Sequence, residues 1–300
     1  MKKFMLSLTL LSVLIVCVFA VSANAQEVID GNTYTAICDG TDWTWDAGAK
    51  TLTYSKGNVD VDGSSVPDSW TLTFSLSGSN LTWTSYTDNC ETTLDDVIVP
   101  SFVQVDDQTT YSVVACNKPA ENKKTIQSVK MYDGITSIAW AAFRGCGQMI
   151  SCDLPQTVTQ IDGNAFAQCS LLQTIVVPKS ANELGVSIFY RCSGLESAYI
   201  YSEGLTEIPE GMFNECTKLK VLEYPDTVTS LGKSAFGKTT FEKFDFTGIT
   251  SIGDSCFQWS STAGFVIPET VTNIGNYAFQ SNSVKYFVFE GKNAPQMGTN

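Results

Sequence analysis

The chain has 300 residues, 43% of them apolar and 16% charged, a globular composition with room for one large domain or two ordinary ones. Histidine is absent, which removes Ser-His-Asp and Cys-His nucleophile systems, imidazole acid–base chemistry and histidine-ligated zinc or haem. The formal net charge is −13; past residue 25, with Lys2 and Lys3 set aside, 16 basic residues face 31 acidic ones, a net −15 that repels nucleic acid and anionic membrane.

Lys2-Lys3, an apolar run from Phe4 to Val21 and the small residues of Ala23-Asn24-Ala25 read as a cleaved secretory signal peptide over 1–25. Val16 before Cys17 argues against lipid attachment there, because that processing wants a small residue. Past Ala25 no apolar run approaches the ~20 residues that span a bilayer. The mature chain is therefore expected to be secreted or displayed at the cell surface, without inserting into a membrane.

Residues 26–110 read as a small all-β region, with strands at Thr51–Tyr54 and Trp70–Phe74 and a turn cluster at Asp62-Gly63-Ser64-Ser65. Trp43, Trp45, Trp70 and Trp83 crowd into it, with Tyr54 and Tyr86. Trp43 and Trp45 share a strand face by period two. Such a row either stacks on sugar rings, making a glycan-binding module, or fills a small core, and core packing is the favoured reading. Asn58 to Gly63 alternates oxygen donors like the first half of a calcium loop, but Ser69 stands where a closing Glu is needed, so a hairpin turn is expected. Ile98-Val99-Pro100 and Tyr111 to Val114 read as a hairpin covering the first coil of the C-terminal region.

Residues 111–300 are dominated by a repeat. Phe143, Phe166, Phe189, Phe213, Phe236, Phe257 and Phe279 are spaced by 23, 23, 24, 23, 21 and 22 residues. An aliphatic residue stands five positions before each, and another, or Ala181, eight before. A strand-like run, often closed by proline, precedes these positions. Each unit is too small to bury its own apolar side, so the units must stack as a repeat solenoid. Parallel strands are expected near 150–154, 174–177, 197–201, 221–224, 243–246, 264–267 and 286–289, in a right-handed coil. The first unit is degenerate. In the last, Met297-Gly298 fills the Ile-Gly slot, which puts the next phenylalanine two residues past Asn300, so the unit reads as truncated and the sequence as continuing.

Units such as Val-Thr-Gln-Ile-Asp-Gly-Asn-Ala-Phe-Ala-Gln-Cys at 158–169 and Ile-Pro-Glu-Thr-Val-Thr-Asn-Ile-Gly-Asn-Tyr-Ala-Phe at 267–279 resemble the BspA-like leucine-rich repeat family over about residues 124–300. The resemblance implies a leucine-rich-repeat solenoid, with one parallel strand and an irregular or helical return per ~23 residues. It also implies a secreted or surface-displayed interaction protein, some relatives being adhesins. Two units depart from the pattern, 173–192 with Ala181 in an aliphatic slot and 195–216 with Ser202 for proline and Ile208-Pro209 for Ile-Gly; local irregularity is expected there.

Cys146, Cys169, Cys192 and Cys216 each follow a repeat phenylalanine by three residues, and Cys152 and Cys256 also occupy core slots. Buried thiols are the leading reading, against inter-coil disulfides; Cys38, Cys90 and Cys116 could supply one disulfide in the N-terminal region. No C-x-x-C pair suggests a metal, no phosphate-cradling glycine loop occurs, and the Ile-Gly pairs read as turns, so no cofactor and no enzymatic activity are expected. Acids such as Asp162, Glu196, Glu210 and Asp254 read as solvated. If apolar strand positions point inward, the outward pairs are Ser151 and Asp153, Thr174 and Val176, Tyr199 and Tyr201, Val221 and Glu223, Lys243 and Asp245, Gly264 and Val266, and Tyr286 and Val288. Tyrosines among mixed charge suit an extracellular protein partner. The strongest candidates are Tyr199, Tyr201, Val221, Glu223, Lys243, Asp245 and Tyr286.

Overall fold

The computed structural model describes residues 28–30, 33–38, 41–55, 69–88, 95–104, 110–117, 119–292 and 294–299. The expected signal peptide, the calcium-like segment 58–63, Cys90 and the side chains of Cys38, Trp43 and Trp70 lie outside the described residues. The repeats form a β-solenoid of about eight turns.

One column of parallel strands comprises Asp95–Val99, Ile126–Met131 and Ser151–Asp153, then Thr174–Val177, Ser197–Ile200 and Val221–Glu223, and finally Gly264–Ile267 with Tyr286–Phe289. Alternation explains it: Cys152, Ile175, Val177, Ala198, Ile200, Phe265 and Ile267 are buried, while the residues between them face outward. The expected strand at 243–246 does not form. Its coil is the shortest, 21 residues from Phe236 to Phe257. Phe246 takes the slot of Pro155, Pro178, Pro225 and Pro268, its carbonyl accepting the Ile249 N–H at 3.0 Å as that of Pro225 accepts Val228. With Phe241, Phe244 and Phe246 all turned into the core, three rings fill space that smaller residues occupy elsewhere, and the backbone leaves the ladder.

The return segments are not helical. Each carries a second, two-residue parallel strand: Ser137–Ile138, Gln160–Ile161 and Glu183–Leu184, then Glu207–Ile208, Ser230–Leu231, Ser251–Ile252, Asn273–Ile274 and Gln296–Met297. This column breaks between Leu184 and Glu207 for a chemical reason. In the other coils the residue after the strand donates its N–H one coil back, as Gly185 does to Ile161 and Gly232 to Ile208. Pro209 has no N–H to give to Leu184. The irregularity expected in the two atypical units is thus a missing donor, whereas Ala181 remains fully buried and Ser202 is buried with its hydroxyl 3.3 Å from Asn182 Oδ1.

The Ile-Gly glycines are not left-handed turn residues. They are points of close approach: a Cβ on Gly253 would lie 2.8 Å from the backbone of Gly232, and one on Gly185 2.3 Å from the Gly163 nitrogen. The left-handed positions lie instead two residues either side of each repeat phenylalanine, twelve of them non-glycine with φ between 52° and 64°, for example Asn164 and Gln168 around Phe166. That alternation points every second N–H along the solenoid axis. Asn164, Phe166 and Gln168 therefore donate to Val186, Ile188 and Tyr190 at 3.0, 3.0 and 2.7 Å, a third inter-coil ladder.

Between the ladders the phenylalanines stack. Neighbouring rings from Phe143 to Phe279 lie 5.2–5.8 Å apart with interplanar angles of 1–18°. All are fully buried except Phe279, which is partly buried. Trp83 opens the stack, 5.8 Å from Phe143.

The N-terminal strands Thr33–Cys38, Thr41–Asp46, Thr51–Ser55, Ser69–Ser77 and Asn80–Asp88 form an antiparallel meander. Asn80–Asp88 pairs in parallel with Thr110–Cys116, which pairs with Ser137–Ile138. One 11-stranded sheet therefore runs from the N-terminal region into the second column. A boundary at 110 cuts this sheet, and Asp95–Val99 already belongs to the first column through Ile126–Met131. The expected hairpin is also different: Thr110–Cys116 pairs antiparallel with Phe102–Gln104.

Candidate functional site: the strand face and its edges

Most of the expected outward residues line the first column. Ser151, Asp153, Thr174, Val176, Tyr201, Val221, Glu223, Lys243, Asp245, Tyr286 and Val288 are exposed, and Tyr199 and Val266 half-buried. Gly264 is the exception. The Tyr286 ring lies across it, so close that a Cβ there would sit 2.4 Å from the ring. Glycine at this slot lets a tyrosine of the next coil lie flat on the sheet.

At the centre of the face the rings of Tyr199 and Tyr201 stack at 6.4 Å. Val176 and Val221 flank them, 42% and 41% exposed. Tyr199 pairs with Val176 on one side and Glu223 on the other, which fixes the side chains as one cross-coil row. Where the strand ladder lapses, a cleft of about 330 Å³ opens between 243–248 and Val266, Pro268, Thr270 and Glu290. Asp245 and Lys243 stand at its wall. The Thr247 hydroxyl and N–H reach Asp245 Oδ1 at 2.7 and 3.0 Å and hold that carboxyl below its ordinary pKa. Tyr224 donates to the Asp245 carbonyl at 2.6 Å; burial, then the Asp245 charge, pushes the Tyr224 phenol up. The Asp245 carboxylate is thereby held at the wall of a cleft of mixed polar and apolar lining.

A second surface row was not singled out by the sequence reading. The left-handed slot two residues after each phenylalanine carries Gly145, Gln168, Arg191, Glu215, Lys238, Trp259 and Ser281. Glu215 accepts from Arg191 Nε at 3.0 Å and Lys238 Nζ at 2.9 Å. Burial raises the Glu215 carboxyl, but these two hydrogen bonds outweigh it and leave the pKa below its ordinary value. Lys238 Nζ lies 5.6 Å over the Trp259 ring, which is 54% exposed. The repeat register alone puts Trp259 in a column of polar side chains, and that signal could have flagged it. The solvated reading of the acids holds for Glu196 and Glu210, whose partners Lys220 and Lys233 lie 4.0 and 3.7 Å away at exposed sites worth little to stability.

Of the four N-terminal tryptophans, the two whose side chains are described do not belong to an exposed row. Trp45 and Trp83 are fully buried, Trp45 beside Phe74 and Tyr111 and Trp83 at the head of the phenylalanine stack, so neither offers a face to a sugar. Trp83 further donates its indole N–H to the Ser85 carbonyl at 2.9 Å.

Cysteines 116, 146, 152, 169, 192, 216 and 256 are free and buried. Cys116 therefore does not join a disulfide with Cys38 or Cys90. The column thiols do more than fill space: Cys169 donates to the Phe143 carbonyl at 3.2 Å, Cys192 to Phe166 at 3.0 Å and Cys216 to Phe189 at 3.1 Å. Burial pushes the Cys146 thiol up to about 12 and those of Cys169 and Cys216 well above the ordinary range. In native protein at pH 8, iodoacetamide should leave Cys146, Cys169 and Cys216 unmodified, with full labelling in denaturant; mass spectrometry of the peptides reads the difference. Equal labelling in both would contradict the burial. Because folded Cys146 keeps its proton longer than the unfolded thiol, its contribution to stability is complete below pH ~9 and lost as pH rises toward ~12.

The profile of the BspA type leucine-rich repeat region matches residues 120–203 and 198–299, with six copies. No curated protein matches the chain. Among solved structures, a leucine-rich cell surface protein from Faecalibacterium prausnitzii A2-165 is similar at 23% identity and a TM-score of 0.50, over 81% of this chain and 56% of that one. The chain thus spans little more than half of that protein's length. A leucine-rich repeat protein of T. pallidum shares 19% identity with a TM-score of 0.48, over 70% of this chain and 86% of that one. No helix among the described residues is long and apolar enough to cross a membrane. With the repeat profile covering more than half of its length and the solenoid built on the same units, the chain belongs to the BspA-type leucine-rich repeat family.

Proposed function

We propose that the chain is an exported, adhesin-like protein that binds an extracellular protein through the first strand column. The observation that carries this reading is the row of Val176, Tyr201 and Val221, left exposed around the half-buried Tyr199 on a parallel ladder. Among the described residues the two tyrosine hydroxyls make no hydrogen bond, so each ring offers an apolar body and a free polar tip, the type of side chain enriched in interface cores. Glu223, Lys243, Asp245 and Tyr286 extend the row with both signs of charge, which favours register and selectivity over raw affinity. The apolar leader at 4–21 and the cleavage pattern at 23–25 support export, and the cell-surface description of the F. prausnitzii protein agrees with that.

Immobilised residues 26–300 should capture a discrete extracellular protein, identified by mass spectrometry. The Tyr199→Ala/Tyr201→Ala variant should melt like the parent and bind the captured protein at least tenfold more weakly, a loss of about 1.4 kcal/mol or more. Unchanged affinity in that variant would move the site off the centre of the strand face.

A further inference from the structure

We infer that the surface around Trp259 is a separate subsite for a neutral pyranose ring, on the turn face of the solenoid and away from the strand column. Trp259 is the most exposed of the described large hydrophobic side chains, at 54%. It sits at φ 56°, a left-handed position that is costly for a bulky side chain. The same slot carries glycine or a polar residue in the other six coils, so neither packing nor backbone geometry asks for an indole there.

Beside the ring is a hollow of about 130 Å³ lined by Asn214, Glu215, Ser234, Lys238, Ser255 and Gln258. Among the described residues, the side chains of Asn214, Ser234 and Ser255 make no hydrogen bond. One exposed aromatic face beside several unspent amide and hydroxyl groups suits a sugar, whose C–H face lies on the ring while its hydroxyls take the polar groups. Lys238 Nζ over the indole, itself tied to Glu215 at 2.9 Å, holds the ring in place. Glu215, the one carboxylate lining the hollow, also takes Arg191, so the carboxylate and both cations are engaged with one another and the remaining wall presents neutral hydrogen-bonding groups. The acidic chain, net −13, further disfavours an anionic sugar.

Saturation-transfer NMR with cellobiose, maltose and N-acetyllactosamine, each at millimolar concentration with the full chain, tests this. Transfer to the ring protons of at least one disaccharide is expected, reduced at least tenfold in Trp259→Ala and largely kept in Trp259→Tyr, with both variants melting like the parent. Asn214→Ala should weaken the same signal severalfold. No transfer to any of the three, or transfer unchanged in Trp259→Ala, overturns the subsite. Loss of protein capture in Trp259→Ala without any sugar signal also overturns it and assigns the indole to a protein contact.

Discussion

Replacing Phe213 by alanine is expected to lower stability by about 3–5 kcal/mol, the usual cost of emptying a buried aromatic site. Phe213 is fully buried between Phe189 at 5.6 Å and Phe236 at 5.8 Å. The space left cannot close easily, because the neighbouring rings are fixed by the ladders on either side of the turn. Phe213 N–H donates to Ala235 and its own carbonyl accepts from Cys216, so the backbone stays while the side chain goes. In a stacked repeat the loss spreads to both adjoining coils, since each is stabilised by its interfaces. Denaturant melts read this directly. A loss under ~1 kcal/mol would mean that the stack is looser than its ring spacing implies.

Gly253→Ala is expected to cost about 1–3 kcal/mol, the range for overpacking, although it adds a single methyl to a position without backbone strain. The added carbon would meet Leu231 O, Gly232 C and Lys233 N, all at 2.8 Å. These are backbone atoms of the preceding coil, which cannot swing aside as a flexible side chain would. The coils would have to part, stretching the Gly253 N–H bond to Leu231 now at 2.8 Å. An unchanged melting curve in Gly253→Ala would show that the coils have slack along the axis.

Much of this architecture is legible in the sequence because the repeat period is set by burial. A phenylalanine every 21–24 residues has only one place to go once neighbouring units stack, and the strand slots, the thiol column and the outward row all derive from that register. What escaped was governed by backbone chemistry. A two-residue strand leaves almost no alternation to read, so the second column is visible only as the aliphatic residue five positions before each phenylalanine. The Ile-Gly pairs suggest a turn, as glycine usually does, yet their role is inter-coil contact. The tryptophan-rich N-terminal region looked alike whether its rings faced a sugar or a core; Trp45 and Trp83 went inward because the sheet they belong to continues into the solenoid and needs a packed end. Trp259 was passed over for the opposite reason, a lone ring in a repeat otherwise rich in buried aromatics.

The claim that recognition belongs to the strand face is tested most directly by blocking that face selectively. Val176→Cys and Val221→Cys place thiols at exposed sites on the first column, and Thr206→Cys and Thr229→Cys place them at exposed sites beside the second. The seven described native cysteines are buried and should not compete for maleimide-polyethylene glycol. Coupling at 176 or 221 should abolish capture of the protein partner, while coupling at 206 or 229 should leave it intact; capture that survives on the first column and fails on the second would contradict the account.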